Sequence, residues 1–391
     1  MPITRLHVAG YRSIRSIYLD LKPVNVVLGA NGTGKSNLYR SLYLLWSAAA
    51  GNLAGAIADE GGMPSILSAG SLRKPGQKSV TLSVDIDDLS YQIVIGLVPL
   101  SDRIGDELMG YFQKDPDIKV EKVNVDYRGK QISLLARKRG YISARNMDGR
   151  PIEYPLVVAH CESVLTGLRE PHLFPDLSKL RSEILSWRFY HNFRTDFHSP
   201  LRRPQVPVFT PVLSHDGRDL ASALATIAAV EGAAAINEAV SDAFPDSTIG
   251  FEADDDVLAL TMKMPGLNRS FSALELSDGT LQYLCLIAAL LSPRPASFLA
   301  LNEPETSIHP SLYEAMARLI VAAGRKSQLW VTTHSEELAR YIEKAAGIKA
   351  IELEKLNGAT CVVGAKLSPE SEEEEDYDDD DDDRSDSSGA G

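Results

Sequence analysis

Apolar and polar positions recur along the chain with two different periods. In "MPITRLHVAGYRSIRSIYLDL" they alternate, with charges throughout, which predicts strands, the first over residues 3–9. "VNVVL", residues 24–28, is a short apolar run that stops at a glycine and predicts a further strand. The period then changes: Leu38, Leu42 and Leu45 fall on one face of a helix over 35–50. From about 78 to 144 alternation returns ("SVTLSVDID", "YQIVIGLV", "VEKVNVDY", "QISLLARKRGYIS") and predicts hairpins of an antiparallel sheet. Residues 151–245 are richer in proline and in helical spacing, with an alanine-rich helical stretch near 218–243. Alternation resumes at 247–263. Helix 279–291, strand 297–301, helix 310–323, strand 328–333 and helix 335–346 then form an α/β succession. No internal repeat and no sustained heptad interrupts this order.

Composition adds bounds to that picture. A chain of 391 residues that is 44% hydrophobic and 7% aromatic has the make-up of a soluble globular protein, long enough for two or three domains. It has no run of eighteen apolar residues, and its charged start lacks the apolar middle of a signal peptide, so no membrane partner is expected. Cys161, Cys285 and Cys361 lie far apart and show no metal spacing, which fits a reducing, cytoplasmic compartment. The 40 basic and 53 acidic residues are unevenly placed. The tail from Glu370 holds 13 acids and one arginine, so the body before it carries 39 basic against 40 acidic residues. The tail cannot bury apolar area and is expected to be disordered. The near-neutral body leaves an anionic partner open.

The chemistry concentrates in four motifs. "GANGTGKS", Gly29 to Ser36, matches the P-loop pattern between an expected strand and an expected helix. Its glycines let backbone amides curl around a phosphate, and the helix start adds positive potential. Lys35 neutralises phosphate oxygens and Ser36 ligates Mg²⁺. Gly29, Asn31, Gly32, Thr33, Gly34, Lys35, Ser36 and the following Asn37 are therefore the candidate nucleotide-binding residues. "FLALNEPE" has the form of a Walker B strand, with Glu303 as candidate base for an attacking water. "LELSDGTLQYL" offers the Ser277 hydroxyl and the Gly279 backbone at a helix start, either an anion receptor or an ordinary N-cap. "LWVTTHS" ends a strand at His334, the candidate γ-phosphate sensor.

This order of P-loop, long insertion, Ser-x-Gly signature, Walker B and strand-end histidine resembles the ABC-type ATPase heads. The opening "LHVAGYRSIRSIYLDLKPVNVVLGANGTGKSNL" is similar to the SMC/RecF branch. "NEPETSIHP" with "VTTHSEELA" resembles the bacterial predicted ATPases close to the OLD and RecF families. The likeness is strong over 1–50 and 270–340 and loose between them. It implies an α/β, two-lobed ABC-type P-loop ATPase head: an antiparallel β-rich N-terminal lobe over 1–150, a helical middle segment over 151–245, a C-terminal lobe over 246–366 and an acidic tail over 367–391. It further implies a homodimer that sandwiches two ATPs with Mg²⁺. Ser277 and Gly279 of one chain would face the P-loop, Glu303 and His334 of the other, and Thr306, Ser307 and Ile308 would form the D-loop between them. A Q-loop glutamine should follow the first helix, with Gln77 and Gln92 both available.

Two departures stand out. Asn302 occupies the place where the family has a Mg²⁺-associated aspartate, so the amide oxygen is expected to serve a softened metal shell. The signature reads Ser-Asp-Gly-Thr, which suits the SMC/RecF side. Neither a coiled-coil arm nor room for a Toprim nuclease domain is present, so a nuclease would be a separate partner chain. The expected activity is slow ATP hydrolysis in DNA maintenance or antiviral defence, with a nucleotide-gated scaffold that recruits an effector protein as the rival. "WRFYHNFRTDFHSPLRRP" (187–204) and "ARKRGYISARN" (136–146) are the candidate DNA contacts, or merely solvated and internally paired faces.

Overall fold

In the strand Ser79–Ile86 every second side chain is buried, as its alternating sequence requires. This computed structural model describes residues 1–68, 79–97, 112, 114–138, 141–153, 158–168, 170–254 and 256–364. The acidic tail and Gln77 lie outside them. The strand pairs on one side with Ile3–Tyr11 and on the other with Leu89–Leu97, within an eight-stranded antiparallel sheet. That sheet runs from Ile14–Asp20 at one edge to Pro151–Glu153 at the other.

A second sheet of six strands holds the α/β elements. In spatial order it contains Arg188–Tyr190, Phe298–Asn302, Gln328–Thr333, Val24–Leu28, Ile351–Leu356 and Ala359–Val362. All neighbours are parallel except the final hairpin. Its three central strands, Phe298–Asn302, Gln328–Thr333 and Val24–Leu28, bury both faces, as parallel strands covered on two sides must. Phe298, Ala300 and Trp330 pack toward helix Lys35–Ala50 and the antiparallel sheet. Leu299, Leu301 and Val331 pack into a separate core with helices Asp278–Leu290, Tyr313–Ala323 and Glu336–Ala346. A third, three-stranded sheet spans Thr248–Asp254, Val257–Lys263 and Phe271–Ser272.

Three features differ from the sequence expectation. The alanine-rich stretch is two helices, Leu220–Glu231 and Ala233–Ala243, bent by 120°. Gly232 between them has φ 91°, a conformation open to glycine that ends the first helix. The boundary at 150 falls inside the antiparallel sheet, since Pro151–Glu153 pairs with Tyr141–Arg145. The middle segment is not purely helical either. Its Arg188–Tyr190 is an edge strand of the six-stranded sheet, beside Phe298–Asn302. The P-loop strand from the N-terminal region sits between strands of the C-terminal region, so the sheet that carries the site is shared and the expected lobes do not divide along the chain. No single helix among the described residues is long and apolar enough to cross a membrane.

Candidate functional site

The six-stranded sheet delivers three loops to one edge, because parallel strands end their turns on the same side. The first is the P-loop. Gly34 caps helix Lys35–Ala50 with φ 108°, no side chain caps the helix, and no acid occupies its first turn. Those amides and the helix dipole are left to an anion. A Cβ on Gly34 would run into Thr360 of the C-terminal hairpin, so glycine is required there for closeness as well as for φ. Thr360 donates its hydroxyl to the Thr33 carbonyl at 2.8 Å and thereby ties the hairpin to the loop. The Lys35 ammonium, buried, is folded back onto the carbonyls of Gly29 (2.7 Å) and Ala30 (3.2 Å).

The second loop follows Phe298–Asn302. Glu303 adopts φ 47°, which non-glycine residues rarely do, and donates its backbone N–H to the Thr332 carbonyl at 2.8 Å. Its carboxylate thereby reaches between two other groups. One oxygen lies 3.8 Å from Lys35 Nζ and the other 3.8 Å from His334 Nδ1. The third loop, after Gln328–Thr333, supplies that histidine, whose side chain is 47% exposed. Beneath them lies Glu305, which accepts from the Thr333 hydroxyl at 2.5 Å and the His334 N–H at 3.0 Å.

Lys35 and Glu303 border a cavity of about 610 Å³, whereas His334 and Glu305 lie behind Glu303 and do not line it. Asn31, Gly32, Gly34, Lys35, Ser36, Asn37 and Glu303 line one part of it. Arg12, Ser13, Ser65, Leu67, Lys355, Asn357 and Gly358 line the rest. Hard oxygen donors at the phosphate end, the exposed Ser36 hydroxyl and the Glu303 carboxylate, fit a Mg²⁺ ion held mainly by phosphate and water. Among the described residues no group of three or more His, Cys, Asp or Glu is placed to hold a metal ion by itself. Asn302 does not line the cavity. Its amide oxygen accepts the Thr332 hydroxyl at 2.9 Å, so one of its two acceptor directions is already used.

Ser277 and Gly279 also do not line that cavity. Ser277 caps helix Asp278–Leu290, accepting from the Thr280 N–H at 3.1 Å, and remains exposed. Gly279 lies so close to the Ser307 carbonyl, where Ser307 itself has φ 63°, that no Cβ fits between them. The signature turn and the D-loop therefore lock together within one chain.

Two family models match the sequence. "AAA ATPase domain" matches residues 1–134, and "AAA domain, putative AbiEii toxin, Type IV TA system" matches residues 153–340. No curated protein matches it. Among solved structures, an SMC head bound to the C-winged helix domain of ScpA is 15% identical, with 94% of this chain and 99% of that chain covered and a TM-score of 0.51. The SMC head domain from Thermotoga maritima is 14% identical, with coverage of 94% and 100% and a TM-score of 0.44. A Smc head with an extended coiled coil, derived from Pyrococcus furiosus and bound to the C-terminal domain of ScpA, is 14% identical, with coverage of 92% and 95% and a TM-score of 0.47. The chain has the fold of an SMC head, and two parts of it match family models of AAA ATPase domains.

Several cavity residues carry no motif that reading the sequence singles out. Arg12 comes from the turn after the first strand, with φ 49°, and is held by Glu60 at 2.8 Å. Glu60 also accepts the Tyr11 hydroxyl at 2.6 Å and faces Arg40 at 3.5 Å. The signal was an arginine in the tight turn of "GYRSI", but its partner lies 48 residues away in sequence. Gln92 sits inside the antiparallel sheet and does not line the cavity. The edge strand Arg188–Tyr190 instead leads into His191. Burial lowers the His191 pKa, the Arg40 charge lowers it further, and Glu303 opposes both.

Two arginines of the basic clusters serve the interior of the fold. Arg202, only 7% exposed, donates to the carbonyls of Thr195, Ala273, Leu274 and Leu276 and to the Asp278 carboxylate at 2.6 Å. It thus shapes the signature turn. Arg137 is buried and donates to the carbonyls of Ala159, His160 and Glu162. Arg145 bonds the carbonyls of Ser133 and Gly149, and Arg194 pairs with Asp196 at 2.7 Å.

Proposed function

We propose that the protein binds Mg-ATP in the P-loop cavity and hydrolyses it slowly as a head-to-head dimer in the cytoplasm. The observation that carries this reading is the placement of Glu303, with one oxygen 3.8 Å from the Lys35 ammonium and the other 3.8 Å from the His334 ring. An anion receptor, a base and a hydrogen-bonding ring from three different loops thus converge where a γ-phosphate would lie. On binding, Lys35 exchanges its loop carbonyls for phosphate oxygens, and the uncapped helix amides cradle the β-phosphate. Ser36, with Asn302 through water, would hold Mg²⁺, which would supply charge neutralisation at the phosphate oxygens. Glu303 accepts the proton of the attacking water as its oxygen adds to the γ-phosphorus, and ADP departs with the old bridging oxygen. The dimer is supported by the separation of Ser277 and Gly279 from the cavity of their own chain.

The output is signalling through a partner protein, as in a nucleotide-gated scaffold used in defence. The internal use of Arg137, Arg145 and Arg202 favours this over a DNA-maintenance role, since those guanidiniums are not free for phosphates. The toxin–antitoxin description of one matching family model points the same way. The test is phosphate release by the full chain with ATP and Mg²⁺. Glu303→Gln is expected to retain nucleotide binding and lose turnover by about a hundredfold or more, and Lys35→Ala to lose binding. Equal turnover in wild type and Glu303→Gln would remove the residue from the base role.

A further inference from the structure

Glu305 does not line the phosphate cavity, yet it is held by several groups beside it. A single oxygen, Oε1, accepts from the Thr333 hydroxyl at 2.5 Å and the His334 backbone N–H at 3.0 Å, and it faces His334 Nδ1 at 3.2 Å. The carboxylate is buried, with its side chain 2% exposed, whereas the ring it holds is 47% exposed. A carboxylate oxygen accepts a hydrogen bond from a ring nitrogen only when that nitrogen carries the proton.

From this geometry we infer that Glu305 is the positioning residue of His334: it keeps the proton on Nδ1 and leaves Nε2 as the nitrogen that meets the nucleotide. A carboxylate behind an imidazole fixes both the tautomer and the plane of the ring. The neutral ring then offers Nε2 as an acceptor, and it donates to a phosphate oxygen through Nε2 only when both nitrogens are protonated. The grip is set in turn by Thr333, whose hydroxyl donates to Glu305 and accepts the Ser335 N–H at 3.0 Å. Strand end, histidine and helix start thus share one small network, and the role of Glu305 in turnover rests on the ATPase reading above.

The test uses the full chain labelled with ¹⁵N at histidine, as wild type, Glu305→Gln and Glu305→Ala. In Glu305→Gln an amide oxygen can take the place of Oε1, keep both hydrogen bonds and still face the ring. The new NH₂ would replace Oε2, which is buried without a hydrogen-bond partner among the described residues. Long-range ¹H–¹⁵N spectra, assigned with His334→Gln, read the tautomer directly. Wild type and Glu305→Gln are expected to show His334 protonated at Nδ1, and Glu305→Ala to lose that preference. Turnover should fall by about tenfold or more in Glu305→Ala with KM for ATP changed less than about threefold, and Glu305→Gln should recover most of it. Nε2–H as the wild-type tautomer overturns the inference, and that reading needs no variant to fold. An unchanged tautomer in Glu305→Ala, or equal losses of turnover in both variants, overturns it as well. A wild type without any ATP turnover would defeat the ATPase reading instead, while the spectra still decide the tautomer.

Discussion

Glu303 is held in a backbone conformation that a side chain with a Cβ resists, at φ 47°. Such strain costs about 1–3 kcal/mol and persists only where surrounding bonds enforce it. Here they do: its N–H is bound by Thr332 and its carbonyl accepts the Thr306 N–H at 3.0 Å. The turn throws the carboxylate toward Lys35 and His334, where a relaxed strand continuation would carry it elsewhere. Glycine meets no penalty at this φ. Glu303→Gly is therefore expected to raise thermal stability, by about 1 kcal/mol in chemical denaturation, while abolishing turnover. A loss of stability in that variant would show that the bonds of the carboxylate, rather than the turn, hold this loop. Asn302 next door shows the same local economy. Thr332 engages its amide oxygen, so the residue is anchored from behind even though it lacks the charge of an aspartate.

Among elements, those whose pattern is local were legible in the sequence. Alternation gave the hairpins from Ser79 onward, and the strand–glycine–helix grammar gave the P-loop, since each depends on neighbours within a few residues. What the sequence hid depends on long-range pairing. Arg188–Tyr190 is only three residues long and flanked by basic and aromatic side chains, so nothing in its period marks it as a strand of the catalytic sheet. Arg202 falls in a basic cluster that the sequence leaves open between a DNA contact and a solvated or internally paired face, because nothing local to it reveals a partner. In the fold it is a buried bracket whose partners lie more than seventy residues ahead, at Ala273, Leu274, Leu276 and Asp278. Replacing it leaves carbonyls without donors and the Asp278 side chain without its cation. Arg202→Met is expected to destabilise the protein by about 3 kcal/mol or more, read by urea denaturation, and to loosen the signature turn. Arg203→Met, at an exposed neighbour, should change stability by less than about 0.5 kcal/mol. Similar values for the two would return Arg202 to the surface.

At the scale of the whole molecule, the P-loop cavity and the Ser277 turn of one chain do not meet. The P-loop cavity has Lys35 and Glu303 but not Ser277, and Ser277 stands exposed at the start of helix Asp278–Leu290. A two-fold dimer would bring the signature of each chain to the cavity of the other, and such an isologous contact closes on itself. This yields an expectation that no single-chain enzyme meets. Lys35→Ala removes the phosphate cation, and Ser277→Arg places bulk and charge at an exposed position where the fold can bear it. Each variant alone should be inactive, because every composite site would contain one damaged half. In an equal mixture, half of the dimers would pair the two kinds of chain. Each of these has one site with both damaged halves and one with an intact P-loop from the Ser277→Arg chain and an intact signature from the Lys35→Ala chain. Turnover should therefore return to about one quarter of the wild-type rate if the two sites of a dimer act independently. Coupled sites would return less, and the dependence of the recovered rate on total protein concentration would report the dimer affinity. No recovery at concentrations where wild-type chains sediment as dimers would mean that Ser277 does not complete a neighbour's site, and the head-to-head arrangement would have to be abandoned.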